Sequence, residues 1–160
     1  MSKIKLAHFL EKFPEVELPV ILSEDTHLDF SKENDPLSDA MIEQFIGRYE
    51  AVEMDDLTEY IACFRIPDTK GFEAIVYWRA ALLQYDYVLA TYNPLGIMID
   101  KRSIAGTKVK DNAIVRTIAT IDEKHHILIA EGAETHSGGF DANATKSSML
   151  EIEEDGFISE

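Results

Sequence analysis

Phe72-Glu73-Ala74-Ile75-Val76-Tyr77-Trp78-Arg79 is the stretch that decides the fold. Phe72, Ala74, Val76 and Trp78 alternate with Glu73, Ile75, Tyr77 and Arg79. A period of two sends successive side chains to opposite faces of a strand. Upstream, Tyr60, Ala62, Phe64 and Ile66 alternate with Ile61, Cys63 and Arg65, and Pro67-Asp68-Thr69-Lys70-Gly71 supplies turn chemistry. Downstream, Tyr85 to Tyr92 is a third β-rich run, closed by the turn Asn93-Pro94-Leu95-Gly96. Ile97-Met98-Ile99 begins the returning strand. Ile114–Ile121 and Ile127–Ala130 repeat the arrangement around Asp122-Glu123-Lys124-His125. The Ala-Thr pairs at 90–91 and 119–120 echo one another, but two matches fall short of the three units a solenoid needs. Successive hairpins of one sheet explain them.

Either side of this block the pattern changes. Leu6, Phe9, Leu10 and Phe13 have helical spacing within residues 3–13, and Pro14 stops the run. Residues 17–22 are extended, with Pro19 keeping them out of a central strand. A polar connection over 23–36 follows. Asp35-Pro36 then reads as a helix start, and Leu37, Met41, Ile42, Phe45 and Ile46 share one face up to Gly47. Residues 132–148 read as a polar loop. Asp155-Gly156 marks a turn between Met149–Ile152 and Phe157-Ile158.

Helices first and strands later, without βαβ alternation, predict an α+β fold: two short N-terminal helices packed on an antiparallel β-meander of about six strands, plus a weak terminal pair. A length of 160 residues predicts a single domain. Within it lie an acidic helical segment over 1–57, the meander over 58–131, and an acidic loop with terminal hairpin over 132–160.

The net charge of −15 is unevenly distributed. Residues 1–57 hold 14 acids against 5 bases, residues 58–131 hold 9 of each, and residues 132–160 hold 7 acids against Lys146. Such a field repels nucleic acid and anionic lipid, which need Lys and Arg against their phosphates. It attracts a basic protein partner, keeps a protein soluble, or offers oxygen ligands to a divalent cation. No stretch reaches the 18 or so apolar residues of a membrane span, and acids at 11, 15 and 17 interrupt any signal-peptide core. The one cysteine, Cys63, lies in an apolar run, which suggests a reducing compartment and a core position. The expected location is the cytoplasm.

No established catalytic motif is present, and no catalytic residue, metal ligand or cofactor is assigned. Ala105-Gly106-Thr107-Lys108 lacks the upstream glycine of a phosphate loop. His125-His126 would point to opposite faces and are expected to be solvated. Glu131, Glu134, His136 and Asp141 offer cation ligands on a flexible stretch, and Asn143-Ala144-Thr145 is a glycosylation sequon that a cytoplasmic protein would not use. The aromatics around Trp78, namely Tyr77, Tyr85, Tyr87 and Tyr92, form either core or a stacking platform. Trp78, Tyr85 and Tyr87 are the candidate ligand-lining residues.

Residues 9–19, with Tyr92-Asn93-Pro94-Leu95-Gly96-Ile97-Met98-Ile99, resemble small uncharacterised bacterial proteins. The resemblance implies no activity, cofactor or catalytic residue. The sequence thus predicts an acidic binding or interaction protein, immunity- or inhibitor-like toward a basic partner. The alternatives are a small-molecule-binding or enzymatic domain with a ligand cup between sheet and helices, and a cation-dependent protein using residues 131–141.

Overall fold

A computed structural model describes residues 3–50, 57–110, 112–134 and 140–160, with the side chains of 110, 134 and 140–145 outside that description. Its elements in order are α1 (Leu6–Leu10), β1 (Val20–Leu22), α2 (Thr26–Glu33), α3 (Asp39–Phe45), a 3₁₀ turn (Gly47–Tyr49), β2 (Glu59–Arg65), β3 (Glu73–Ala81), β4 (Gln84–Tyr92), β5 (Met98–Lys110), β6 (Ala113–Ile121), β7 (His126–Glu134), β8 (Phe140–Ile152) and β9 (Ile158–Ser159). The fold is α+β and the sheet is antiparallel. From β2 to β9 every strand neighbours the next, and β1 pairs with β6.

The predicted hairpins form, and local chemistry fixes their turns. Asn93 Oδ1 accepts from the amides of Leu95 and Ile97 at 2.9 and 3.1 Å. Asp122 Oδ1 accepts from Lys124 and His126, both at 2.9 Å. The Asp155-Gly156 turn places Gly156 at φ +91°, and Ile152 pairs with Ile158 behind it.

Four expectations are corrected. Among the described residues the sheet has nine strands rather than about six with a weak terminal pair. The polar loop over 132–148 is largely strand, because β8 pairs along β7 from Glu134↔Phe140 to His126↔Glu151, with a register shift between Glu131 and Ala133. The polar connection over 23–36 contains α2, which buries no residue fully and so lacks the apolar stripe that reveals a helix. The third helix starts three residues later than Asp35-Pro36 suggests. The hydroxyl of Ser38 caps it by accepting from Met41 N at 3.2 Å.

Two hydrophobic clusters result. In the first, α1, the turn after it and α3 lay Phe9, Phe13 and Phe45 on Ala62, Ile75, Tyr77, Val88, Ala90 and Tyr92. Phe9 and Phe45 stack at 4.2 Å, and the Tyr92 hydroxyl donates to Phe45 O at 2.6 Å. Each such buried ring contributes about 2 kcal/mol by leaving water. The second cluster gathers Leu22, Phe64, Val76, Leu89, Ile104, Ile121, Ile127 and Leu150. Thr91 Oγ1 donates to Gly156 O at 2.7 Å, and Asp100 Oδ2 accepts from Ile158 N at 2.9 Å. These bonds tie the C-terminal hairpin back to β4 and β5.

A bend in β5 permits this return. It pairs with β4 over 98–108 but with β6 only over 106–110, and β1 occupies the ladder beside Ala119–Ile121. Gly106 sits at the divergence with φ +147°, and a Cβ there would lie 2.1 Å from Tyr85 O. Only glycine fits so close an approach. The free edge of β2 is blocked where Asn34 Nδ2 donates to Ala62 O and Cys63 O at 2.7 and 2.9 Å, and where Arg65 N donates to Pro14 O at 2.8 Å.

Candidate functional site

Trp78 on β3 and Tyr87 on β4 are opposite one another in the ladder, and Tyr85 stands two residues before Tyr87 on the same face. The three residues singled out in the sequence therefore meet. Trp78 stacks on Tyr85 with centroids 5.7 Å apart and planes 11° from parallel. A fourth ring joins them: His27, from the first turn of α2, stacks on Trp78 at 4.0 Å with planes 1° apart. Together with Glu24, Asp25, Leu28, Gly106 and Thr107, these rings enclose a cavity of about 370 Å³.

The rings are unequally exposed. Trp78 and Tyr87 retain 8% and 1% of their exposure, whereas Tyr85 retains 49%. Tyr87 is an anchor: its hydroxyl accepts from His27 N at 2.7 Å and donates to Ser23 O at 2.9 Å. These two bonds fix α2 to the sheet, each worth about 1 kcal/mol net. Burial pushes the Tyr87 hydroxyl's ionisation well above the ordinary range, so it remains a neutral donor. Burial also lowers the pKa of His27, against the raising influence of Glu24 and Asp25. The ring stacked on Trp78 at neutral pH is thus the uncharged imidazole. At the rim, Glu24 pairs with Arg116 at 3.3 Å.

A different chemistry occupies the other face. Arg79, next to Trp78, is opposite Asp86 in the ladder. Its Nε and Nη2 reach the two Asp86 oxygens at 3.2 Å each, and Nη1 reaches Glu50 Oε2 at 2.8 Å. Lys101 Nζ completes the cluster 3.3 Å from the same Glu50 oxygen. Burial opposes the charge on Arg79, but Asp86 and Glu50 together outweigh it, and its pKa is raised. Glu50 Oε1 and the Tyr77 hydroxyl are buried with no hydrogen-bond partner among the described residues. Burial and then the charge of Glu50 drive Tyr77's pKa up, so this hydroxyl also stays neutral. Sequence reasoning missed this cluster. Only the alternation Trp78-Arg79 hints that a cation faces inward opposite Asp86.

The remaining candidates separate. Cys63 is fully buried and desolvation raises its thiol's pKa far above the thiolate range. His125 and His126 are both partly buried rather than solvated. His125 Nε2 lies 3.0 Å from Pro67 O, and His126 lies between Asp122 and Glu151 at 3.5 and 3.6 Å. Hydrogen bonds to the amides of His126 and Lys124 are foremost among the factors that lower the pKa of Asp122. Of the suggested cation cluster, Glu131 is described, while His136 and the side chains of Glu134 and Asp141 lie outside the described residues. Among the described residues no group of three or more His, Cys, Asp or Glu is arranged to hold a metal ion. Likewise, no helix among them is long and apolar enough to cross a membrane. No protein-family model, curated protein or solved structure matches this chain.

Proposed function

We propose that this chain binds a basic protein partner, in the manner of an immunity or inhibitor protein, and takes a lysine or arginine side chain of that partner into the His27–Trp78–Tyr85–Tyr87 cavity. The observation that carries the reading is a stack of aromatic rings with acids at its rim. A cation over an aromatic face gains about 0.5–2 kcal/mol, and more as water is excluded. Glu24 and Asp25 belong to the acidic segment 1–57, so the long-range field and the local site favour the same ligand sign. The reading sets this complex in the cytoplasm; the single, buried thiol of Cys63 supports a reducing compartment.

Affinity capture at low salt from the native host tests this, with the intact chain and a Tyr85→Ala variant immobilised in parallel. The expected result is a stoichiometric basic protein on the intact chain, released by salt and depleted on the variant. No such partner, or equal retention by the variant, contradicts the proposal. A second reading, a small cationic molecule or an enzyme's substrate in the same cup, is favoured by the cavity volume of about 370 Å³, within the roughly 300–1,000 Å³ usual for small-ligand sites.

A further inference from the structure

The face of β6–β8 that packs on the second cluster changes character along its length. At one end it presents Ala119, Ile121, Ile127, Leu150 and Ile152, all buried. Continuing the alternation along the same strands, it then presents Thr117, Glu131 and Ser148. Thr117 is opposite Glu131 and Ile129 is opposite Ser148. These residues, with Arg102 and Ile104 of the bent strand β5 and the terminal Glu160, surround a second cavity of about 360 Å³. Thr117 and Glu131 are half-buried there and Ser148 is exposed, so this end of the face opens to solvent as a cup instead of closing as core.

Their hydrogen-bonding capacity is unspent. The side chains of Gln84, Ser103, Thr107, Thr117, Glu131 and Ser148 all line this cavity, and none bonds to another described residue. They supply carboxylate acceptors, amide and hydroxyl donors, and hydroxyl acceptors. Among the charges, Asp86 is neutralised by Arg79 and Glu160 pairs with Arg102 at 3.7 Å, which leaves Glu131 against Lys108. In a chain of net charge −15, a balanced lining selects against a strongly charged ligand. Between the polar groups lie apolar surfaces, Val115, Ile104, Ile129 and Leu150, beside the half-exposed ring of Tyr85.

We propose that this cup binds a neutral, polyhydroxylated molecule of monosaccharide size. Its C–H faces would pack on Ile129, Leu150 and the Tyr85 ring, and its hydroxyls would donate to Glu131 and accept from Arg102 and the serine and threonine hydroxyls. The cup adjoins the cavity of the basic-partner reading and shares Tyr85, Gly106 and Thr107 with it, but Trp78, His27 and Tyr87 line only that cavity, and Thr117, Glu131 and Ser148 line only this one.

Amide NMR spectra of the full chain, titrated with glucose, galactose, mannose, N-acetylglucosamine and ribose, test the proposal. At least one sugar should give saturable shifts centred on Thr117, Glu131 and Ser148, with Glu131→Gln weakening it about tenfold and Ser148→Ala about threefold. Acetate and N-acetylarginine amide, used as charged probes, should leave those amides unmoved. Ser148 is exposed, so its variant keeps the test valid if Glu131→Gln fails to fold. Three results overturn the proposal: no saturable shift with any sugar at about 100 mM, affinity unchanged in the folded variants, or equal response to acetate.

Discussion

Trp78 and Arg79 are neighbours in sequence, yet strand alternation places them on opposite faces of the β3–β4 ladder, in cavities of the same volume, about 370 Å³. On the Trp78 side the opposite residue is Tyr87, and the lining is aromatic with one ring half open to water. On the Arg79 side the opposite residue is Asp86, and the valences of the guanidinium are spent on two carboxylates. The difference separates two roles for polar chemistry. Groups satisfied within the chain hold the fold together, whereas rings left partly open, with Asp25 beside them, remain available to a ligand. Damage to the ionic side should therefore be read in stability, and damage to the aromatic side in binding.

The largest effect should come from the residue that touches both. Gly106 lines the aromatic cavity, and its hypothetical Cβ would stand 2.7 Å from Asp86 Cα as well as 2.1 Å from Tyr85 O. Gly106→Ala should cost about 4 kcal/mol or more and blur the division by disturbing both faces; denaturant unfolding checks it. Next, Asp86→Ala removes one of the two carboxylates on Arg79, leaving it Glu50 alone, and should cost about 3 kcal/mol, while the double change Arg79→Met/Asp86→Leu should recover part of that loss, since Lys101 still pairs with Glu50. If the double variant is no better than the single one, the cluster is not a self-contained ionic unit.

Smaller effects sharpen the aromatic side. Tyr87→Phe leaves His27 N and Ser23 O without their partner and should cost about 1–2 kcal/mol. Trp78 is the only tryptophan, so a red-shifted emission would report α2 loosening over it. The smallest effect concerns pH. The folded pKa of His27 is lowered, so the unfolded chain binds this proton more readily. Its contribution to stability is complete above the unfolded pKa of about 6.5 and declines as pH falls through the window below it. Trp78 emission should change with a midpoint below 6.5, and His27→Gln should flatten that titration.

The meander was legible because alternation and turn chemistry are local, as at Asn93–Gly96 and Asp155-Gly156. The third helix was legible from its apolar face and α2 was not, since α2 is held by tertiary bonds such as Tyr87 to Ser23 rather than by an apolar stripe. For the site, Trp78, Tyr85 and Tyr87 could be grouped from one hairpin. His27 could not, because it lies 51 residues before Trp78 and reaches it only once α2 crosses the sheet. The paired carboxylates on Arg79 were hidden likewise: Asp86 follows from hairpin register, but Glu50 comes from the far side of the helical segment.

The claim that the aromatic cavity receives a basic side chain is tested most directly through Trp78 itself. Its emission should respond saturably to N-acetylarginine amide in the range of about 1–10 mM, remain indifferent to N-acetylglycine amide, and lose about tenfold in affinity with Tyr85→Ala. Emission unchanged by the arginine probe, or changed equally by the glycine probe, would contradict the account.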